Sequence, residues 1–203
     1  YRRARQVLKE DSYELIFIDH KNISDYIIIP RNIDDLMKSG KMSLTHYSDY
    51  VRTKLMAKFG GIWMDSTMFL ARSFPDFDGL FFFQSRKDSL QLASNQFFYV
   101  PADKQYVFYN MLILLESYWN NYGRAHSYFF YHFIFYILMK NLKLNPSLIL
   151  YSENNAYLRT FLNREFLREE ADLLLARSFI HKLTYKYAAV DCNDFFEYLR
   201  SLQ

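Results

Sequence analysis

Phe59-Gly60-Gly61-Ile62-Trp63-Met64-Asp65-Ser66-Thr67 is the stretch that decides the fold class. Paired glycines punctuate the end of a helix, because glycine takes up the left-handed backbone that stops one. Ile62 to Asp65 then reads as a short buried strand, with a carboxylate at its far end. In an open α/β sheet, the carboxyl end of a strand opens into the crevice where ligands bind. The expected fold is therefore α/β, and Asp65 is its leading site residue.

Working upstream, Ser43 is a fitting N-cap for a helix that runs to about Lys58. Tyr47, Tyr50, Val51, Leu55 and Met56 recur along it at helical spacing. Asp49, Arg52 and Met56 share a neighbouring face, so the acid and the base point at one place. Further back, Arg31 to Ser39 reads as a short helix between Pro30 and Gly40, and Tyr13 to Asp19 as a strand.

Downstream, Thr67 to Ala71 reads as extended, and Leu80–Gln84 and Gln96–Val100 as strands. Tyr106–Tyr118, His126–Asn141, Tyr157–Arg168 and Asp194–Leu202 follow helical periodicity. Leu173–Leu175 and Phe179–Ile180 read as short extended pieces. Strands early and helices late give one domain over 1–203. Its α/β part covers 1–102 and its mainly helical part 103–203, with a tail that returns to the site.

Composition narrows the class. A net charge of +3 gives no argument for a nucleic-acid partner. The lone Cys192 makes neither a disulfide framework nor a thiolate zinc site, which fits a reducing cytoplasm. The apolar run Tyr128–Met139 falls short of the roughly 20 residues that span a bilayer, and reads as a buried helix. Peripheral association with a membrane stays open. The 18 Tyr and 20 Phe exceed what a core alone needs, and suit half-buried surfaces that stack on sugars or simply pack.

The chemistry these residues suit is binding of a phosphorylated ligand. Asp65, helped by the hydroxyls of Ser66 and Thr67, is a candidate to bridge Mg²⁺ or Mn²⁺ to a diphosphate, since such ions bind through one or two carboxylates plus substrate phosphates. Asp49 and Arg52 are candidates to grip sugar hydroxyls or phosphate oxygens; the alternative is a surface ion pair of about 0–1 kcal/mol. His181-Lys182-Leu183-Thr184-Tyr185-Lys186 offers a metal ligand and two cations. Asn95 is either a sugar contact or a cap. His132, on its apolar helix, reads mainly as a core histidine, and Trp63 as core.

Two blocks, His46-Tyr47-Ser48-Asp49-Tyr50-Val51-Arg52 and Lys58 through Thr67, resemble the bacterial capsular polysaccharide synthesis glycosyltransferases. More distantly they are similar to DXD-motif sugar transferases, which include yeast mannosyltransferases and clostridial glucosylating toxins. The resemblance runs from about Tyr13 to Lys186, through Ser94-Asn95, Tyr118-Trp119 and Tyr128–His132. It implies a GT-A-like domain with Asp65 as first acid of the DXD motif and as metal ligand. Asp49 and Arg52 would contact the donor sugar, His181 would be a late metal ligand, and Lys182 or Lys186 would meet the diphosphate. Thr67 stands where that motif's second acid would be, which bears on metal dependence. The family's opening strand, which builds the nucleobase pocket, is expected before Arg2 and is absent from this sequence.

The function so implied is metal-dependent transfer of a hexose from a nucleotide diphosphate sugar, a UDP-sugar first among donors. The acceptor is a surface polysaccharide or lipid-linked glycan at the inner face of the membrane. Retention of configuration is favoured and inversion stays open. The alternative is a non-catalytic carbohydrate- or nucleotide-binding domain of a polysaccharide assembly complex.

Overall fold

The computed structural model describes residues 2–9, 13–84, 93–144, 146–150, 158–184 and 192–202. These form a mixed α/β chain that begins α1 (Arg2–Leu8), α2 (Ile23–Tyr26), α3 (Arg31–Lys38), α4 (Leu44–Phe59), β1 (Gly61–Met64), β2 (Met68–Leu70), β3 (Phe81–Gln84) and β4 (Phe97–Val100). It continues with α5 (Gln105–Tyr122), α6 (Phe130–Leu142), β5 (Ser147–Leu150), α7 (Arg168–Ala176), β6 (Ile180–Lys182) and α8 (Asn193–Ser201).

The chain divides into two compact units that interleave along the sequence. One, the sheet unit, comprises Ile18–Trp63 and Phe77–Ile149; the other, the terminal unit, comprises Tyr1–Phe17, Met64–Asp76 and Leu150–Gln203. The boundary expected between 102 and 103 does not coincide with this division: helices α5 and α6 belong with the early strands.

In the sheet unit the strand order is β1-β4-β3-β5, with β3 and β4 antiparallel in the register Phe81↔Tyr99 and Phe82↔Phe98. Phe81, Phe82 and Phe83 are all buried, so β3 is covered on both faces and reads as a continuous apolar run. Phe82 stacks on Phe98 at 5.2 Å, and Phe98 on Phe108 of α5 at the same separation. Helix α4 closes over this core with Tyr50, Val51 and Leu55. The Tyr50 hydroxyl donates to Glu116 Oε1 of α5 at 2.6 Å.

Both ends of α4 follow from single residues. Ser43 Oγ accepts from the His46 N–H, capping the start. Gly60 ends the helix at φ 65° and ψ −148°, a region almost reserved for glycine. A Cβ there would meet Val100 O at 2.9 Å, so the helix end also packs against β4 only because that side chain is missing.

In the terminal unit, β2 and β6 pair antiparallel in the register Met68↔Lys182, Phe69↔His181 and Leu70↔Ile180. Its core gathers Leu158, Phe161, Leu162, Ala171, Phe195 and Leu199. Arg3 of α1 ties the three segments: one guanidinium nitrogen donates to Ala71 O at 2.7 Å and the other to Leu202 O.

Some expected elements differ. Tyr13–Asp19 forms no strand, and Tyr13, Ile16 and Phe17 are exposed, so the alternation there covers no sheet face. Leu173–Leu175 lies inside α7, where Leu174 is buried and Leu173 is exposed; a short apolar run fits either period. Tyr157–Arg168 shrinks to a 3-10 turn at Leu158–Leu162, and the helix expected from His126 starts at Phe130. Strand β5 gave no recognisable sequence signal.

Candidate functional site

The site residues read from the sequence fall into two clusters, one in each unit. The first is centred on α4. Asp49 and Arg52, one turn apart, are both buried, with side chains 4% and 6% exposed, and pair at 3.6 Å. Asn95 Nδ2 donates to Asp49 Oδ1 at 2.7 Å, and Arg52 Nη1 donates to the Asn95 carbonyl. Arg52 also donates through Nη2 to Ser48 Oγ at 2.9 Å and through Nε to Ser48 O at 3.2 Å. Its guanidinium lies 5.3 Å from the centre of the Trp63 ring, near enough for cation–π attraction.

This geometry changes the meaning of Asp49 and Arg52. A surface ion pair is excluded by the burial, and both side chains are enclosed by hydrogen-bonding neighbours. What they do is hold other groups. Asn95 and Trp63 are half-buried, and the pair fixes the Asn95 amide and carbonyl and the Trp63 ring.

His132 of α6 completes this cluster. Burial, and after it the positive charge of Arg52, push its imidazole down to about 4, so it is neutral near pH 7. Its Nδ1 is buried without a hydrogen-bond partner among the described residues. Sequence reasoning set His132 aside as core. Its only signal was membership of the Tyr128–His132 run, because nothing local announces that α6 brings it to Arg52.

The second cluster is centred on Asp65. The Met68 N–H donates to Asp65 O at 2.9 Å, so Asp65 opens a four-residue turn, a position that favours Asp. The turn joins β1 to β2, and β6 pairs beyond it. Lys182 of β6 reaches back across the pair to donate to Thr67 Oγ1, and its Nζ lies 3.6 Å from Asp65 Oδ2. The Leu183 N–H donates to Thr67 O at 2.9 Å, which fixes the turn against β6. Asp65, Thr67 and Lys182 are half-buried and Ser66 is exposed, so this acid and base, unlike Asp49 and Arg52, meet solvent.

His181 does not join it. Successive strand residues face opposite sides, so with Lys182 turned toward Asp65 the imidazole lies on the other face. There it is 1% exposed, and its Nε2–H faces the carbonyls of Leu175 at 3.1 Å and Ser178 at 3.2 Å. Burial holds its pKa below the ordinary value. No group of three or more His, Cys, Asp or Glu side chains able to hold a metal occurs among the described residues. Lys186 lies outside the described residues.

The described residues thus hold a buried acid–arginine–amide network in one unit and a solvent-facing acid–hydroxyl–lysine turn in the other. The chain belongs to the capsular polysaccharide synthesis protein family, whose model matches residues 2–200. That membership assigns it to capsule biosynthesis. No curated protein and no solved structure matches it. No helix among the described residues is long and apolar enough to cross a membrane.

Proposed function

We propose that this chain is a glycosyltransferase that moves a hexose from a nucleotide diphosphate sugar, a UDP-sugar foremost, onto a capsular polysaccharide or its lipid-linked precursor. The carrying observation is the Asp65 turn braced by Lys182 in a chain of this family. In this reading the fold is GT-A-like, and Asp65 is the first acid of a DXD-type motif.

Lys182, beside the Thr67 hydroxyl, supplies a cation and a donor for the leaving diphosphate. Lys186 is proposed to share that task. Ser66 and Thr67 offer further oxygens. Within the sheet unit, Asn95 is proposed as a sugar contact in its own right, with Asp49 and Arg52 acting through it as positioning residues. The C1–O bond to the diphosphate breaks as the acceptor oxygen bonds to C1. The acceptor proton then passes to the departing phosphate oxygen, the retaining course.

The donor set fits Mg²⁺ or Mn²⁺ only in part. One protein carboxylate, Asp65, suits an ion that takes its remaining oxygens from water and the diphosphate, and not one caged by protein alone. Such an ion would neutralise charge on the leaving group. His181 is left out of this reading, because its ring occupies the opposite face. The acceptor places the work at the cytoplasmic face of the membrane, with peripheral attachment.

Hydrolysis of a nucleotide-sugar panel, with and without Mn²⁺, tests the proposal. The expected result is turnover of one donor, reduced about 10²–10³-fold by Lys182→Ala, as for loss of one preorganised transition-state contact. Binding of a donor without any hydrolysis or transfer, even with glycan acceptors supplied, would instead establish a carbohydrate- or nucleotide-binding domain.

A further inference from the structure

A cavity of about 600 Å³ lies in the sheet unit between the ends of α3 and α5, lined in part by Asn32, Asp35, Lys41, Asn120, Asn121 and Tyr122. None of its residues belongs to the clusters above. The volume is within the roughly 300–1,000 Å³ of small-molecule sites, and admits more than one hexose ring.

The lining argues for an uncharged, hydroxyl-rich ligand. Its one lining acid, Asp35, pairs with Arg31 at 3.8 Å, and its one lining base is Lys41, so no cluster of cations gathers there to hold a phosphate or a nucleotide. Amides dominate instead. Asn32 Nδ2 donates to Asn120 Oδ1, and Asn121 Nδ2 donates to Ser117 O at 2.7 Å. This leaves Asn32 an acceptor oxygen, Asn120 a donor NH₂ and Asn121 an acceptor oxygen. Such a mixture matches sugar hydroxyls, each of which both donates and accepts.

An aromatic platform stands beside these amides. Tyr122 is 62% exposed, and its ring is steadied by Tyr118 at 4.9 Å and His126 at 5.9 Å. A tyrosine face held this way packs on the C–H face of a pyranose while its hydroxyl stays wet. Trp119 is buried and forms the floor. Gly123, at φ 63°, turns the chain away from the helix end so that Tyr122 stands at the rim.

We propose that this cavity is a binding site for neutral saccharide units. The binding does not depend on the transferase reading above. The test follows side-chain amide resonances of Asn32, Asn120 and Asn121 and the Gly123 N–H by two-dimensional NMR. Glucose, galactose, mannose and N-acetylglucosamine are added one at a time, and inorganic phosphate separately. At least one sugar is expected to give saturable shifts, at least tenfold weaker in Tyr122→Ala and unchanged in Tyr109→Ala, another exposed tyrosine of α5. The unfolding temperature of each variant, expected to stay at the wild-type value, guards against misfolding.

The proposal is overturned if no sugar gives saturable shifts, if Tyr122→Ala binds as wild type, or if phosphate shifts the same resonances. Sugar binding without donor turnover would sink the transferase reading and keep this site. Donor turnover without sugar binding would do the reverse.

Discussion

The sheet unit and the terminal unit treat charge in opposite ways. On α4, Asp49 and Arg52 are taken out of water, and Ser48, Asn95 and Trp63 surround the pair. At the β2–β6 pair, Asp65 and Lys182 are held near one another with 22% and 14% of their side chains still exposed. A buried pair spends its hydrogen-bonding capacity on its neighbours and so serves as a fixture. A half-buried pair keeps part of that capacity for water or a ligand. The same residue types, an acid and a base, are thus enclosed in one unit and left partly open to solvent in the other.

The sharpest break of this comparison is Asp49→Ala. It strands a buried guanidinium, and should cost about 3–5 kcal/mol in denaturant unfolding, whereas Asp65→Ala should cost under about 1 kcal/mol. Equal costs would mean that the two pairs do not differ in kind. Activity should divide in the other sense: Asp65→Asn is expected to lower donor turnover about 10²–10³-fold while its unfolding curve stays within error of wild type. A stable Asp65→Asn protein with full turnover would remove the terminal unit's cluster from the chemistry.

Gly60→Ala probes what holds the sheet unit's fixture in place. A φ of 65° and a Cβ at 2.9 Å from Val100 O should destabilise the protein by up to about 3 kcal/mol in the same unfolding assay. A neutral result would mean that the helix end relaxes.

Smaller again is the pH effect. His132 has its pKa lowered to about 4 from 6.5, so the unfolded chain binds the proton more readily than the folded one. Stability from this residue is full above about pH 6.5 and is lost progressively as pH falls toward 4. His181 acts in the same direction. His132→Phe should flatten part of the slope in thermal melts taken between those pH values; an unchanged slope would mean that the fold does not hold His132 neutral. Smallest of all is Glu170→Ala, which removes an exposed pair with Arg164 and should leave the denaturant midpoint unmoved.

Much of the local structure was legible. Ser43 and Gly60 mark the two ends of α4, and the apolar runs of β3 and β4 need only their bounding turns to be recognised. Asp65 at a strand end was readable for the same reason, since its neighbours along the chain dictate its place. Tyr13–Asp19 misled because alternation records apolar spacing and not whether a second strand is there to pair with it. Leu173–Leu175 misled because three apolar residues carry no period.

The sequence alone determined the helix caps, the α/β class, the residue types at the site and the family resemblance, all properties of neighbours within a few turns of chain. Only the tertiary structure decided that Asp49 and Arg52 are buried, that His132 is held neutral chiefly by burial, and that Lys182 rather than His181 turns toward Asp65. The reason is physical: burial and pairing across elements come from contacts between residues distant in sequence. A one-residue choice of register on β6 exchanges which side chain faces Asp65.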